Sequence, residues 1–287
     1  MALVTSEKML CRAREKGYAI GAFNAENMEM AQAIIQAAEE ANAPVMIQTT
    51  PGTVRYASLE LYFANVAAIA EAARVPVAIH LDHGDSFSLA AKALRAGYTS
   101  IMIDGSKLPL EENIALTRSV VEMCRPCGVP VEAELGKVGG KEDDTESDGC
   151  GYTDPEEAVR FVRETQVNSL AVGVGTAHGV YATTPVLNVP LIAKLRGLLP
   201  VPLVLHGASG LSDEAVRECI ANGISKVNFA TELRAAYTKG VQEYLAQFPG
   251  TIDPKKYGAD GRKAVKELVK ARMEICGCVG QADGGTV

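Results

Sequence analysis

VPVAIHLDHGDS (residues 75–86) decides how the rest of the chain is read. An apolar, β-branched run gives way to His80, Asp82 and His83, followed at once by Gly84. A run of this kind reads as a strand buried on both faces, so its polar residues fall at a strand C-terminus. Two other stretches repeat the pattern. SLAVGVG (169–175) leads into Ala177 and His178, and VPLVL (201–205) leads into His206. The chain has 4 histidines, and His83, His178 and His206 each follow such a run. A barrel of alternating strands and helices carries its chemistry at the C-terminal ends of its strands. Three imidazoles converging there, with a fourth coordination position open, make a catalytic zinc site.

Working outward, the alternation of elements is regular. SEKMLCRAREK reads as an amphipathic helix stopped by Gly17. YAIGAFNAEN is a first strand ending near Asn24, and MEMAQAIIQAAEEANA a helix. PVMIQTT is a second strand, followed by a helix over 58–73 and the third strand above. SFSLAAKALRA is a helix closed by Gly97, and TSIMIDG a strand ending at Asp104. A helix over 111–128 precedes VPVEAELG, which ends in Glu132 and Glu134. GKVGGKEDDTESDGCGYT then breaks the pattern with a stretch of glycine and acid that lacks periodicity, the mark of a functional lid or a disordered loop. Asp154-Pro155-Glu156-Glu157 opens the next helix, and the alternation resumes through ISKVNFAT. ELRAAYTKGVQEYL and KAVKELVKARMEICG extend it with further helices. Eight strands alternating with helices predict an α/β fold, a single (β/α)8 barrel spanning 1–287 with extra C-terminal helices. A doubly wound open sheet is the alternative, but it would scatter the histidines.

Composition narrows the function classes. A chain of 287 residues with 47% hydrophobic residues has ample core for one such barrel. Its net charge of −7 argues against nucleic acid and anionic membranes as partners. No apolar run reaches membrane-spanning length, and the N-terminus lacks a secretory pattern. Seven scattered cysteines read as reduced thiols, which places the chain in the cytoplasm. Cys276 and Cys278 in CGC lack the second pair that a structural metal site needs.

Several side chains fall near the barrel mouth. Asp82 is positioned to act as a general acid or base beside a metal-bound oxygen, or to orient a histidine ring. Asp104 and Glu134 are open between metal ligand, ligand support and structural roles. Glu142, beyond Gly139 and Gly140, is either a carboxylate swung in by a mobile loop or solvated charge. Gly207-Ala208-Ser209-Gly210 and Asn228-Phe229-Ala230-Thr231 read as phosphate-binding loops or as tight turns. No lysine is expected within a strand core, and Lys226 is the nearest to one.

HLDHG, VEAELGKVGGKEDD, GTAHGVY, LVLHGASGL and KVNFATEL, in this order, resemble the class II, zinc-dependent ketose-bisphosphate aldolases over essentially the whole chain. GTAHG, HGASG, NFATE and the CGC ending look most like the tagatose-bisphosphate branch, with fructose-bisphosphate enzymes close by. The resemblance implies reversible cleavage of a ketose 1,6-bisphosphate to dihydroxyacetone phosphate and glyceraldehyde 3-phosphate through a zinc-stabilised enediolate. It implies that His83, His178 and His206 bind Zn2+, and that Asp82 is the proton donor at the C4 oxygen. Glu142 would exchange the C1 proton of dihydroxyacetone phosphate. Asn24, Gly179, Gly207, Ala208, Ser209, Asn228, Phe229, Ala230 and Thr231 would hold that substrate, and Asp104 and Glu134 an alternative or second ion. A monovalent cation, Na+ or K+, and a homodimer or homotetramer are implied as well. One position departs. DPKKY has Lys255 where relatives commonly carry arginine, a residue the family brings from a neighbouring subunit to the distal phosphate. Lysine keeps the charge and loses the bidentate fork. The rivals are a zinc hydrolase, which needs no phosphate loops, and a non-catalytic subunit, for which a lost histidine or aspartate would speak.

Overall fold

A computed structural model describes residues 3–142, 145–147, 151–179, 181 and 185–282 of the protein, and of 141, 142 and 145–147 the backbone alone. After α1 (Ser6–Lys16), the chain runs β1 (Ile20–Asn24), α2 (Met28–Ala41), β2 (Val45–Thr49), α3 (Pro51–Ala57), α4 (Leu59–Ala72), β3 (Val77–Gly84) and α5 (Phe87–Ala96). Then come β4 (Ser100–Ile103), α6 (Leu110–Cys124), β5 (Val131–Leu135), β6 (Gly139–Glu142), β7 (Thr145–Ser147), α7 (Pro155–Thr165), β8 (Ser169–Val172) and β9 (Ala177–His178). The chain continues through α8 (Val189–Leu198), β10 (Leu203–Leu205), α9 (Asp213–Ala221), β11 (Ile224–Phe229), α10 (Thr231–Gln247) and α11 (Pro254–Cys276).

Eight strands close into a parallel barrel in the order β1, β2, β3, β4, β5, β8, β10, β11 and back to β1. This is the (β/α)8 barrel that the alternation predicts. Local chemistry explains where its elements stop. Gly17 ends α1 in the left-handed region at φ 73, which costs a residue without Cβ nothing. Ser86 caps α5 by accepting from the Leu89 N–H, so a helix starts within three residues of the β3 terminus. Asp154 accepts from the N–H groups of Glu156 and Glu157, with Pro155 in the first turn, as expected. The last two helices pack on each other, and α11 also lies along α2.

Two expectations are corrected. A short helix, α3, precedes the one expected over 58–73. Thr50 caps it and Pro51 opens it, a start signal in the stretch between the second strand and the helix expected over 58–73. The acidic, glycine-rich stretch after β5 is not without structure. β6 and β7 pair antiparallel, and β6 also pairs with β9 in a three-stranded sheet outside the barrel.

In β1, β2, β4, β5, β8, β10 and β11 every residue is buried, yet in β5 and β11, as in β3, polar residues stand two positions apart. His80 and Asp82, Glu132 and Glu134, and Lys226 and Asn228 are all at most 7% exposed. Side chains two apart on a strand share a face. The hydrogen bonds described below run between these pairs, so that shared face is the barrel interior. The apolar alternates meet the helices.

Candidate active site

Asp82 and His83 are neighbours in sequence but point to different tasks, and a bulge makes that possible. Along β3 and β4, Leu81 pairs with Ile101 and Gly84 with Ile103, so two residues of β3 oppose Met102 alone. His83 takes φ 49, a left-handed conformation uncommon for a residue with a Cβ. Gly84 closes the bulge, and a Cβ there would collide with the Met102 carbonyl oxygen. Asp82, fully buried, turns into the barrel, while His83 leans to the mouth and is partly exposed.

Three amide side chains surround Asp82. Asn24 Nδ2 donates to its Oδ2 at 3.0 Å, Gln48 Nε2 to the same oxygen at 3.2 Å, and Asn228 Nδ2 to Oδ1 at 3.0 Å. Gln48 also donates to Asn24 Oδ1 at 2.8 Å. The carboxylate is therefore held in one orientation by residues from three other strands.

His83, His178 and His206 come together as the repeated pattern predicts. One ring nitrogen of each lies within 4.8 Å of the others. His178 arrives by another route than expected. It sits six residues past β8, on β9, paired with the outer strand β6 and not with the barrel. Gly140, at φ 89, lets β6 come so close that a Cβ would strike the His178 backbone. The Tyr181 hydroxyl accepts from the Ala177 N–H at 2.8 Å and donates to the Gly207 carbonyl at 2.7 Å, which ties β9 to the loop after His206.

Carboxylates set the tautomers. His83 Nδ1 lies 2.9 Å from Asp104 Oδ2, and His206 Nε2 lies 3.0 Å from Glu132 Oε1. A nitrogen hydrogen-bonded to a carboxylate carries the proton, so His83 Nε2 and His206 Nδ1 present lone pairs. Those two nitrogens face each other at 3.0 Å. Two neutral lone pairs at that distance repel unless an electrophile lies between them. The donor set thus fits a divalent metal with borderline-soft nitrogen preference, and His83 and His206 are each backed by a carboxylate in the way zinc ligands usually are. His83, Asp104 and Glu134 form a second group with the same mutual spacing.

The three acids around the rings differ in proton affinity. Burial raises Asp104, but the hydrogen bond from His83 and the Ser106 donors hold it well below the usual carboxylate range. Burial likewise opposes ionisation of Glu132, and the adjacent Lys226 charge and the His206 hydrogen bond overcome it. Glu134 is pushed up to about 7 by burial and by the charge of Asp104. Its Oε2 lies 3.4 Å from His206 Nδ1 yet accepts no hydrogen bond.

The loops after β10 and β11 are joined where Ser209 Oγ accepts from the Ala230 N–H at 3.2 Å. Gly207 (φ 66) and Gly179 (φ 89) both take left-handed conformations beside the histidines that precede them. Ala208, Ser209 and Asn228 are buried, and Thr231 starts α10 without a side-chain cap on its first N–H groups. The Phe229 ring stacks on Phe23 at 5.5 Å, under Arg272, so it faces the core. Glu142 ends β6, and its side chain lies outside the described residues. Lys255 stands apart, exposed at the start of α11 and paired with Asp253 at 3.0 Å.

The sequence model for class II fructose-bisphosphate aldolases matches residues 4–281. The chain belongs to that family. This aldolase, a lyase, is similar in structure to the YdjI aldolase from Escherichia coli K12, with 39% identity, a TM-score of 0.88, and 98% of this chain and 100% of that one covered. A fructose-1,6-biphosphate aldolase candidate from Coccidioides immitis matches at 32% identity and a TM-score of 0.89, over 96% of this chain and 97% of that one. The fructose-bisphosphate aldolase of Campylobacter jejuni shares the fold at 22% identity and a TM-score of 0.84, over 97% of each chain.

Four residues of this aldolase's site escape a reading of motifs: Gln48, Glu132 as a histidine partner, Tyr181, and above all Lys226. The last corrects an expectation, because a lysine does stand in a strand core. Its side chain is fully buried and paired with Glu132 at 2.9 Å. The signal that could have found it is the spacing of two between Lys226 and Asn228 in a strand buried throughout.

Proposed function

We propose that this aldolase reversibly cleaves a ketose 1,6-bisphosphate, tagatose or fructose 1,6-bisphosphate, to dihydroxyacetone phosphate and glyceraldehyde 3-phosphate. The observation that carries this reading is the juxtaposition of three imidazoles, two with fixed lone pairs, and a buried carboxylate caged by three amides. His83, His178 and His206 would hold a zinc ion. When bound, zinc supplies a Lewis acid that stabilises negative charge developing beside the substrate carbonyl.

The chain's own residues handle the protons. Asp82 takes the C4 hydroxyl proton as the C3–C4 bond breaks, the aldehyde forms at C4, and the bonding pair stays on C3. Its amide cage fixes the direction from which it approaches. Gln48 Oε1 and Asn228 Oδ1 are buried without a hydrogen-bond partner, which leaves acceptors for sugar hydroxyls beside that carboxylate. Glu142, carried at the end of β6, then protonates the old C3, which becomes C1 of dihydroxyacetone phosphate. Gly179, Gly207 to Ser209 and Asn228 to Thr231 bind the proximal phosphate through backbone N–H groups and the uncapped start of α10. A monovalent cation beside that phosphate belongs to this reading. So does a second copy of the chain bringing Lys255 to the distal phosphate, and a cytoplasmic setting. Asp104 and Glu134 hold the ion in an alternative position.

The test is cleavage of each purified sugar bisphosphate, read by coupled release of triose phosphates, before and after chelation. Activity on at least one sugar, lost with the metal and restored by zinc, is expected, without inactivation by borohydride plus substrate. Inactivity of the zinc-loaded protein on both sugars, full activity in a verified metal-free preparation, or borohydride trapping would overturn the reading.

A further inference from the structure

Lys226 lies in the middle of β11, 0% exposed, in register with Ile20 of β1 and Val204 of β10. Neither the metal reading nor the proton transfers use it. A buried ammonium is costly unless each of its three hydrogens finds an acceptor. Here each does. Nζ lies 3.1 Å from Glu132 Oε1, 2.9 Å from Glu132 Oε2 and 3.4 Å from His80 Nε2. An amine with all three hydrogens donated has no lone pair to attack a carbonyl, so Schiff-base chemistry is not its role.

These contacts fix a direction of hydrogen bonding through the barrel. Because His80 Nε2 accepts, His80 Nδ1 carries the proton and donates to Ser100 Oγ at 2.7 Å, which in turn meets Ser6 Oγ at 2.8 Å. On the other side, Glu132 Oε1 accepts from His206 Nε2 at 3.0 Å. Lys226 is the hub of this chain, one layer beneath the three histidines.

We propose that Lys226 is a positioning residue for the metal ligand His206. By donating to both oxygens of Glu132 it locks that carboxylate in the pose that takes the His206 Nε2 proton, which leaves His206 Nδ1 for the metal. The inference rests on the three-histidine metal reading, and the experiment separates the two.

The measurement is the zinc dissociation constant of the full chain by chelator competition, with the visible spectrum of the cobalt-substituted protein as a second readout. Wild type that fails to bind zinc at all defeats the metal reading itself. Given wild-type binding, Lys226→Met should raise the dissociation constant by about 10- to 100-fold, the usual worth of an outer partner of a metal ligand. It should also alter the cobalt spectrum. Ser6→Ala, at the far end of the same chain, should lower thermal stability and leave zinc affinity within about threefold. In Glu132→Gln the new NH2 at the Oε2 position would face a Lys226 hydrogen. Adding Lys226→Met removes that opposition and lets the amide oxygen accept from His206. The double variant should therefore bind zinc more tightly than Glu132→Gln alone. That comparison stands even if Lys226→Met alone does not fold. The proposal is overturned if Lys226→Met binds zinc within threefold of wild type, if Ser6→Ala weakens zinc equally, or if the double variant is no tighter than Glu132→Gln.

Discussion

Asp82→Asn isolates charge from shape at the centre of the proposed chemistry. The substitution keeps volume and leaves one acceptor oxygen. If that oxygen occupies the Oδ2 position, it still accepts from Asn24 and Gln48, now 3.0 and 3.2 Å away. The new NH2 then faces Asn228, whose own Oδ1 is buried and unpartnered. Turning the Asn228 amide supplies the missing acceptor but swings its own NH2 to that unpartnered side, so one donor loses its acceptor. Exchanging three bonds to a charged group for neutral ones costs roughly 1 kcal/mol each. The stranded donor adds about 1 to 3 kcal/mol, relief from burying a formal charge offsets part of the total, and the fold should lose roughly 3 kcal/mol. The rate should fall even in the folded, zinc-loaded protein. Removing a positioned base slows the reaction by about 10² to 10⁴, or about 2.7 to 5.4 kcal/mol in the barrier. The assay is steady-state cleavage at saturating sugar bisphosphate, with bound zinc measured by elemental analysis and stability by urea unfolding. Cleavage within about threefold of wild type at full zinc content would refute the proton-transfer role. Loss of zinc, with the rate recovered when metal is supplied, would make Asp82 a ring-orienting residue instead.

Two further outcomes test the site from other sides. Glu142→Ala should lose deuterium exchange at C1 of dihydroxyacetone phosphate, followed by NMR without aldehyde, while Asp82→Asn keeps much of it. Wild-type exchange in Glu142→Ala would leave that carboxylate as solvated charge. His80 concerns pH. Burial, and then the charge of Lys226, hold its imidazole well below its ordinary value of 6.5, so it stays neutral in the folded chain. Below about pH 6.5 the unfolded chain binds a proton at this position that the folded chain refuses, so stability falls with pH at up to about 1.4 kcal/mol per unit. In the zinc-free protein, the stability of wild type relative to His80→Gln should drop by about 2 kcal/mol between pH 6.5 and 5. A difference constant over that window would show that His80 takes up a proton in the fold.

The barrel was legible because its strands are buried almost throughout and its helices carry start and stop chemistry such as Ser86, Asp154 and Gly17. The misses have physical causes. Pro51 and Gly52 disguise α3, whose seven residues hold together through the Thr50 cap and contact with β2 and β3. The strands β6 and β7 are four and three residues long and built of glycine, charged and small polar residues. Local β propensity in such segments is low, and pairing with β9 is a tertiary contact that no window of sequence contains. For the same reason His178 could be assigned to the site but not to its strand.

The repeated strand-end pattern names residues that differ from a buried apolar background, so it finds His83 and His206 directly. It does not name what holds them. Asp104, Glu132 and Lys226 act through distances between strands that are far apart in the chain, 94 residues in the case of Lys226 and Glu132. Yet these residues obey a rule visible in sequence. A charged or amide side chain on the inward face of a strand buried on both faces must find its partner across the barrel, because water cannot reach it. VEAEL and ISKVNF each place two such residues at spacing two, and their charges are opposite: Glu132 and Glu134 against Lys226. Read as a demand for mutual satisfaction, those two strands require an ion pair in the lumen. His206, proposed as a metal ligand, rests on that pair, since it reaches Lys226 through a single carboxylate.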